Sequence, residues 1–152
     1  MEIEKKYLCT EIPFQLQNYT FAEIEQSYIS VQPIIRLRKH NTDYFLTVKG
    51  KGAIVREEFE LPLSAQEYYS LLKKAETPKV LKTRYFIPLP NHLTAELDVY
   101  KGVLNGLITV EVEFPTIEAT SQFTPPQWFG LDISKDHRYK NVNLAQYGKP
   151  TE

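Results

Sequence analysis

The 152 residues balance 18 Lys and Arg against 19 Asp and Glu, a formal net charge of −1, and 42% of them are hydrophobic. That length suits one domain with a sizeable core, and the charge balance excludes the overall basic bias of a nucleic-acid or anionic-membrane binder. The single cysteine, Cys9, excludes an intrachain disulfide, and the absence of a long apolar run or an apolar leader makes the cytoplasm the expected location.

Strand signals dominate in chain order. Glu2–Leu8, Glu25–Val31, Ile34–Lys39, Tyr44–Lys49 and Ile54–Leu61 read as strands, joined in part by the short polar loops "HNTD" (His40–Asp43) and "GKGA" (Gly50–Ala53). The stretch "LSAQEYYSLLKKAE" reads as a helix. Ser64 is its N-cap, Glu67 completes a capping box, and Tyr68, Leu71 and Leu72 share one face. Val80–Ile87, Leu93–Lys101 and Leu107–Phe114 continue the strands, and the chain turns helical or irregular after Pro115. "PPQWFG" reads as a packed corner, and "GKGAIV" lacks the spacing and following helix of a phosphate loop. The sum is an α+β domain over residues 1–152. Its centre is an antiparallel β-barrel of about eight strands, closed or incompletely closed, with a few flanking helices.

In a strand, alternate side chains share a face. Applied throughout, this puts Glu2, Glu4 and Lys6 together, then Arg36 with Arg38, Arg56 with Glu58 and Glu60, Lys82 with Arg84, Glu96 with Asp98, and Glu111 with Glu113. Lys49 falls on the side of Phe45 and Thr47. For one strand, a solvated outer face explains such a pattern. Taken together the strands resist that explanation, because like charges repeat as neighbours about 6.6 Å apart. Each pair repels by about 0.6 kcal/mol in water and about 2.5 kcal/mol at an effective dielectric near 20. Acidic strands facing basic strands across a lumen relieve this, and a bound cation with a bound polyanion satisfies both sets. Carboxylates without Cys or His partners suit Mg²⁺ or Mn²⁺. Clustered Arg and Lys suit phosphate oxygens. Both sets in one lumen point to a linear polyphosphate.

The opening "EIEKK", a Glu-x-Glu-x-Lys pattern, resembles the signature of the CYTH superfamily, the triphosphate tunnel metalloenzymes. "RLR", "TVKG", "REEFE", "KTRY", "ELDVY", "EVEF" and "DHRYKN" continue the resemblance in order over roughly residues 1 to 145. In character the chain is most similar to short bacterial tripolyphosphatases. The resemblance implies a charged barrel that hydrolyses inorganic tripolyphosphate with a divalent metal. It implies Glu2, Glu4, Glu111 and Glu113 as metal ligands, with Glu60 and Asp98 as further candidates. It assigns phosphate to Lys6, Arg36, Arg38, Lys49, Arg56, Lys82 and Arg84, and has Arg138 and Lys140 close the site. Its short tail implies a barrel open on one side.

Two groups are candidates for catalysis. Glu111, or Glu113 beside it, would hold a second metal that activates water, and Lys82 is the alternative activator. Other reactions on the same site stay open: nucleoside or thiamine triphosphate hydrolysis, or adenylate cyclase chemistry. A non-catalytic polyphosphate- or nucleotide-binding module is a further alternative. The expected partner is tripolyphosphate or another triphosphate, with no nucleic acid and no membrane, and the edges of an incompletely closed barrel leave room for a homodimer.

Overall fold

The computed structural model describes residues 2–52 and 54–151. Nine strands form one antiparallel sheet: β1 (Glu2–Leu8), β2 (Thr20–Val31), β3 (Ile34–His40), β4 (Asp43–Lys49), β5 (Val55–Arg56), β6 (Glu58–Leu63), β7 (Val80–Pro88), β8 (Thr94–Lys101) and β9 (Ile108–Glu113). Their order is β5-β1-β9-β8-β7-β2-β3-β4-β6. The helices are α1 (Ala65–Leu72), α2 (Ile117–Gln122) and α3 (Asn141–Tyr147). No helix among the described residues is long and apolar enough to cross a membrane.

The ends of this order are consecutive in the chain, so the sheet nearly closes on itself. The segment expected as one strand, Ile54–Leu61, is divided. Its start pairs with β1 (Glu2↔Arg56, Ile3↔Val55) and its continuation pairs with β4 (Lys49↔Glu58 through Tyr44↔Leu63). Eight expected strands thus become nine, because one segment serves both edges of the seam. With only two residues of β5 in register on β1, the barrel is not sealed there.

Local signals account for the connections. The β3–β4 turn places Asn41 at φ 55°, as a two-residue hairpin needs. Gly52 has φ 131°, and a Cβ there would lie 2.1 Å from the Val55 carbonyl oxygen. Ala53, the last residue of that expected loop, lies outside the described residues. Ser64 and Glu67 form the expected capping box, with reciprocal bonds of 3.1 and 2.8 Å. The strand β2 begins five residues before its expected start, because Thr20–Ile24 pairs along β7.

The apolar faces point outward and are covered over much of the barrel, with Phe21, Phe59, Leu61 and Leu81 left exposed. Ile3, Tyr7, Leu97, Val110, Val112 and Phe114 pack with Phe129, and Trp128 joins them, ring centroids 4.6 Å from Phe129. "PPQWFG" is thus a packed corner. The helix α1 buries Tyr68 against Tyr44, and the Tyr68 hydroxyl donates to Glu25 at 3.0 Å. The barrel is left incompletely closed, as expected, although the short tail packs against it. Val142, Leu144 and Ala145 of α3 pack on Tyr28, Val80 and Tyr100, and Tyr100 Oη donates to Asn141 Oδ1 at 2.9 Å.

Candidate active site

The ionised faces turn inward. Strand register puts Glu4 opposite Glu113, Lys6 opposite Glu111, Glu96 opposite Glu111, and Arg84 opposite Asp98. Together they enclose a cavity of about 140 Å³ lined by Glu2, Glu4, Arg36, Arg38, Lys49, Arg56, Glu58, Glu60, Arg84, Glu96, Glu111, Glu113 and Asn141. Every one of these is charged or polar. On the seam side Glu2 accepts from Lys49 at 3.2 Å and Arg56 Nε at 3.1 Å, and Glu4 from Arg56 Nη2 at 3.2 Å. On the other side Asp98 takes Arg84 Nε at 2.8 Å and Nη2 at 3.0 Å. Lys82 Nζ lies 2.7 Å from its second oxygen.

Burial opposes ionisation of Asp98, but Arg84 and Lys82 outweigh it and hold its carboxyl down at about 2. Burial likewise opposes ionisation of Glu2, yet the Glu58 hydrogen bond and the Lys49 and Arg56 charges bring it to about 2. Glu4 behaves oppositely: burial and the Glu111 charge raise it well above the usual carboxylate range. Burial also opposes ionisation of Glu111, but Lys6, Arg84 and Lys82 overcome it and push that carboxyl well down. Burial lowers Lys82 to about 7, with Arg84 and Arg38 adding to the effect and Asp98 opposing it.

Comparison with known proteins fits this geometry. No family model matches the sequence. The chain is 37% identical over 147 residues to an inorganic triphosphatase of Nitrosomonas europaea, covering 95% of this chain and 96% of that protein. An inorganic triphosphatase of Acetivibrio thermocellus is 31% identical over 155 residues, covering 95% and 93%. The chain belongs to the inorganic triphosphatase family.

A solved inorganic triphosphatase structure aligns with this family member at TM-score 0.72 and 35% identity, over 99% of this chain and 97% of that one. A Hippeastrum adenylyl cyclase described as having a dominant triphosphatase activity aligns at TM-score 0.61 and 16% identity, over 80% and 83%, which shows the shared triphosphate tunnel fold alone. Membership of the family implies a divalent-cation requirement.

This triphosphatase family member brings most of its sequence-predicted residues to the cavity, with five exceptions. Lys82 and Asp98 are fully buried in the layer beneath Arg84 and do not line the cavity. Both Asp98 oxygens are engaged by cations, which leaves that carboxylate anchoring Arg84 and Lys82. Lys6 and Lys140 line a smaller neighbouring cavity of about 30 Å³, which shares Glu4, Arg56, Glu111 and Asn141 with the first. There Lys6 Nζ donates to the Tyr139 carbonyl at 2.7 Å and Lys140 Nζ to that of Gly52 at 3.3 Å. Arg138 is not brought to either cavity. Asp136 caps the turn His137–Tyr139 and takes the Arg138 guanidinium at 2.7 and 3.0 Å, holding a side chain that is 57% exposed.

Glu58 and Glu96, placed inward by the alternation but not chosen as ligands, line the cavity with the rest. Gln26, Thr47 and Asn141 also matter and carry no charge signal in the sequence. Gln26 and Thr47 hold Arg38 and Arg36, and Asn141 reaches the cavity only through the fold of the tail.

Among the described residues no group of three or more Asp, Glu, His or Cys forms a ready-made metal cage. The donor set nevertheless fits a hard cation. Glu111 Oε1 and Glu58 Oε2 are buried without a hydrogen-bond partner. Glu4 and Glu111, close enough that the charge of one raises the other, are carboxylates whose repulsion a divalent ion would relieve.

Proposed function

We propose that this protein hydrolyses inorganic tripolyphosphate to pyrophosphate and orthophosphate inside the charged cavity, using Mg²⁺, with Mn²⁺ as a substitute. The supporting observation is the lining: seven carboxylates, five cations and Asn141, with no apolar side chain. Cations in forked and single form match a compact polyanion. The absence of an aromatic or apolar wall among the described lining residues disfavours a nucleobase, and with it the cyclase reading.

Glu2, Glu4, Glu111 and Glu113 would hold the metal, with Glu60 at the rim as an auxiliary carboxylate. When bound, the ion neutralises charge that develops on the phosphate oxygens. The rest falls to the chain. Arg36 and Arg38 receive the phosphate chain from β3. Arg84 presents a guanidinium whose other edge Asp98 fixes in place. Lys49 and Arg56 complete the ring from the seam, and Lys6 and Lys140 add positive charge from beyond it. Lys82, fully buried beneath Arg84 and 2.7 Å from Asp98, steadies the wall from behind, whereas Glu111, in the lining, would hold a second metal that activates water.

Tripolyphosphate, ATP and thiamine triphosphate, each supplied with Mg²⁺, separate the readings when orthophosphate, pyrophosphate and cyclic AMP are assayed. Tripolyphosphate is expected to turn over far faster than the other two, without cyclic AMP. Cyclic AMP formation, or tight binding without product, would overturn the proposal.

A further inference from the structure

The five cations lining the cavity fall into two classes. Lys49, Arg56 and Arg84 each lie within ion-pair distance of carboxylates: Lys49 of Glu2 and Glu58, Arg56 of Glu2 and Glu4, Arg84 of Asp98 and Glu96. Arg36 and Arg38, two residues apart on β3, have no such partner among the described residues. Their partners are neutral. Arg36 Nη2 donates to Thr47 Oγ1 at 3.3 Å. Arg38 donates through Nε at 3.1 Å and Nη2 at 2.7 Å to a single oxygen, Gln26 Oε1.

Gln26 has no exposed surface, and its Nε2 is buried without a hydrogen-bond partner. A glutamate would have the same shape, would offer the same oxygen, and would avoid leaving that amide unpaired. It would also spend the charge of Arg38 on the wall. A carboxamide holds one edge of the guanidinium and leaves its charge for an anion in the cavity.

We propose that Gln26 is a positioning residue, which orients Arg38 for phosphate while keeping its positive charge uncompensated. The inference rests on the reading that a polyphosphate occupies the cavity. Strand β2 thereby contributes to substrate recognition although it brings no charged group to the lumen.

The test compares wild type with Gln26→Glu, Gln26→Leu and Gln26→Glu combined with Arg38→Gln. Three quantities are measured: calorimetric binding of tripolyphosphate in EDTA, kcat and KM with Mg²⁺, and the thermal midpoint. Gln26→Glu is expected to weaken binding and raise KM by about tenfold or more, with the loss in KM and not in kcat. Its thermal midpoint should not fall, since a new ion pair replaces a neutral one. Gln26→Leu, which removes the anchor, should lower the midpoint as well. With Arg38→Gln already present, Gln26→Glu should add less than about twofold, because the two residues act as one unit. Wild-type affinity in Gln26→Glu, or a loss that persists at full size beside Arg38→Gln, would overturn the inference alone. Failure of the wild type to bind tripolyphosphate would overturn it together with the functional reading.

Discussion

At the scale of single residues, the opposed carboxyls of Glu4 and Glu111 make a measurable demand. Burial and the Glu111 charge raise Glu4, so a divalent ion competes there with a proton. Because Glu4 is raised above its unfolded value, the native state binds more protons than the unfolded chain above the usual carboxylate range. Apo stability therefore falls as pH climbs through that window, and metal affinity rises. Calorimetry of Mg²⁺ binding in buffers of different ionisation enthalpy should report about one proton released per ion. Glu111→Gln should abolish metal-dependent turnover while leaving the far-ultraviolet circular dichroism unchanged; full activity would remove Glu111 from the site.

The charges at these positions were legible in the sequence because strand alternation carries them through every strand, and like-charge neighbours make no sense on a solvated face. Arg138 misled for a local reason: its motif resembles the family's, but Asp136 two residues earlier captures the guanidinium. Gln26 and Asn141 were invisible because neither carries charge, and their roles arise from cross-strand register and tail placement.

At the scale of elements, the seam decides whether the site forms. The loop before β5 must turn sharply enough to bring Arg56 beside Glu2 and Glu4, and Gly52 supplies that turn. Gly52→Ala should cost about 1–3 kcal/mol, from its positive φ and the collision with the Val55 carbonyl. It should also lower kcat/KM, since Arg56 moves with the loop. Denaturant unfolding and steady-state kinetics check both; unchanged values would show that the seam tolerates a different path. The division of Ile54–Leu61 was not legible because hydrophobic alternation runs on across Glu57, and only partner choice distinguishes the halves.

At the scale of the whole molecule, the barrel inverts the usual arrangement by putting its charges inside and its apolar faces outside. Much of its outer apolar face is packed under α1, α2 and the Trp128 corner, and so acts as the core. The interior is held open by charges that a ligand completes. Tripolyphosphate with Mg²⁺ should therefore raise the thermal midpoint in proportion to the logarithm of ligand concentration. Calorimetric scanning over a ligand series checks this, and a flat response would contradict occupancy of the cavity.

The helix α3, packed on Tyr28 and Tyr100, bears on turnover as well as stability, because it brings Asn141 to the cavity. Pyrophosphate meets the same cations as the substrate, and a spent molecule must leave before the next can be seated. Turnover thus becomes a queue in single file. Pyrophosphate is expected to inhibit competitively against tripolyphosphate, and in initial-rate kinetics with added product a noncompetitive pattern would contradict a shared site.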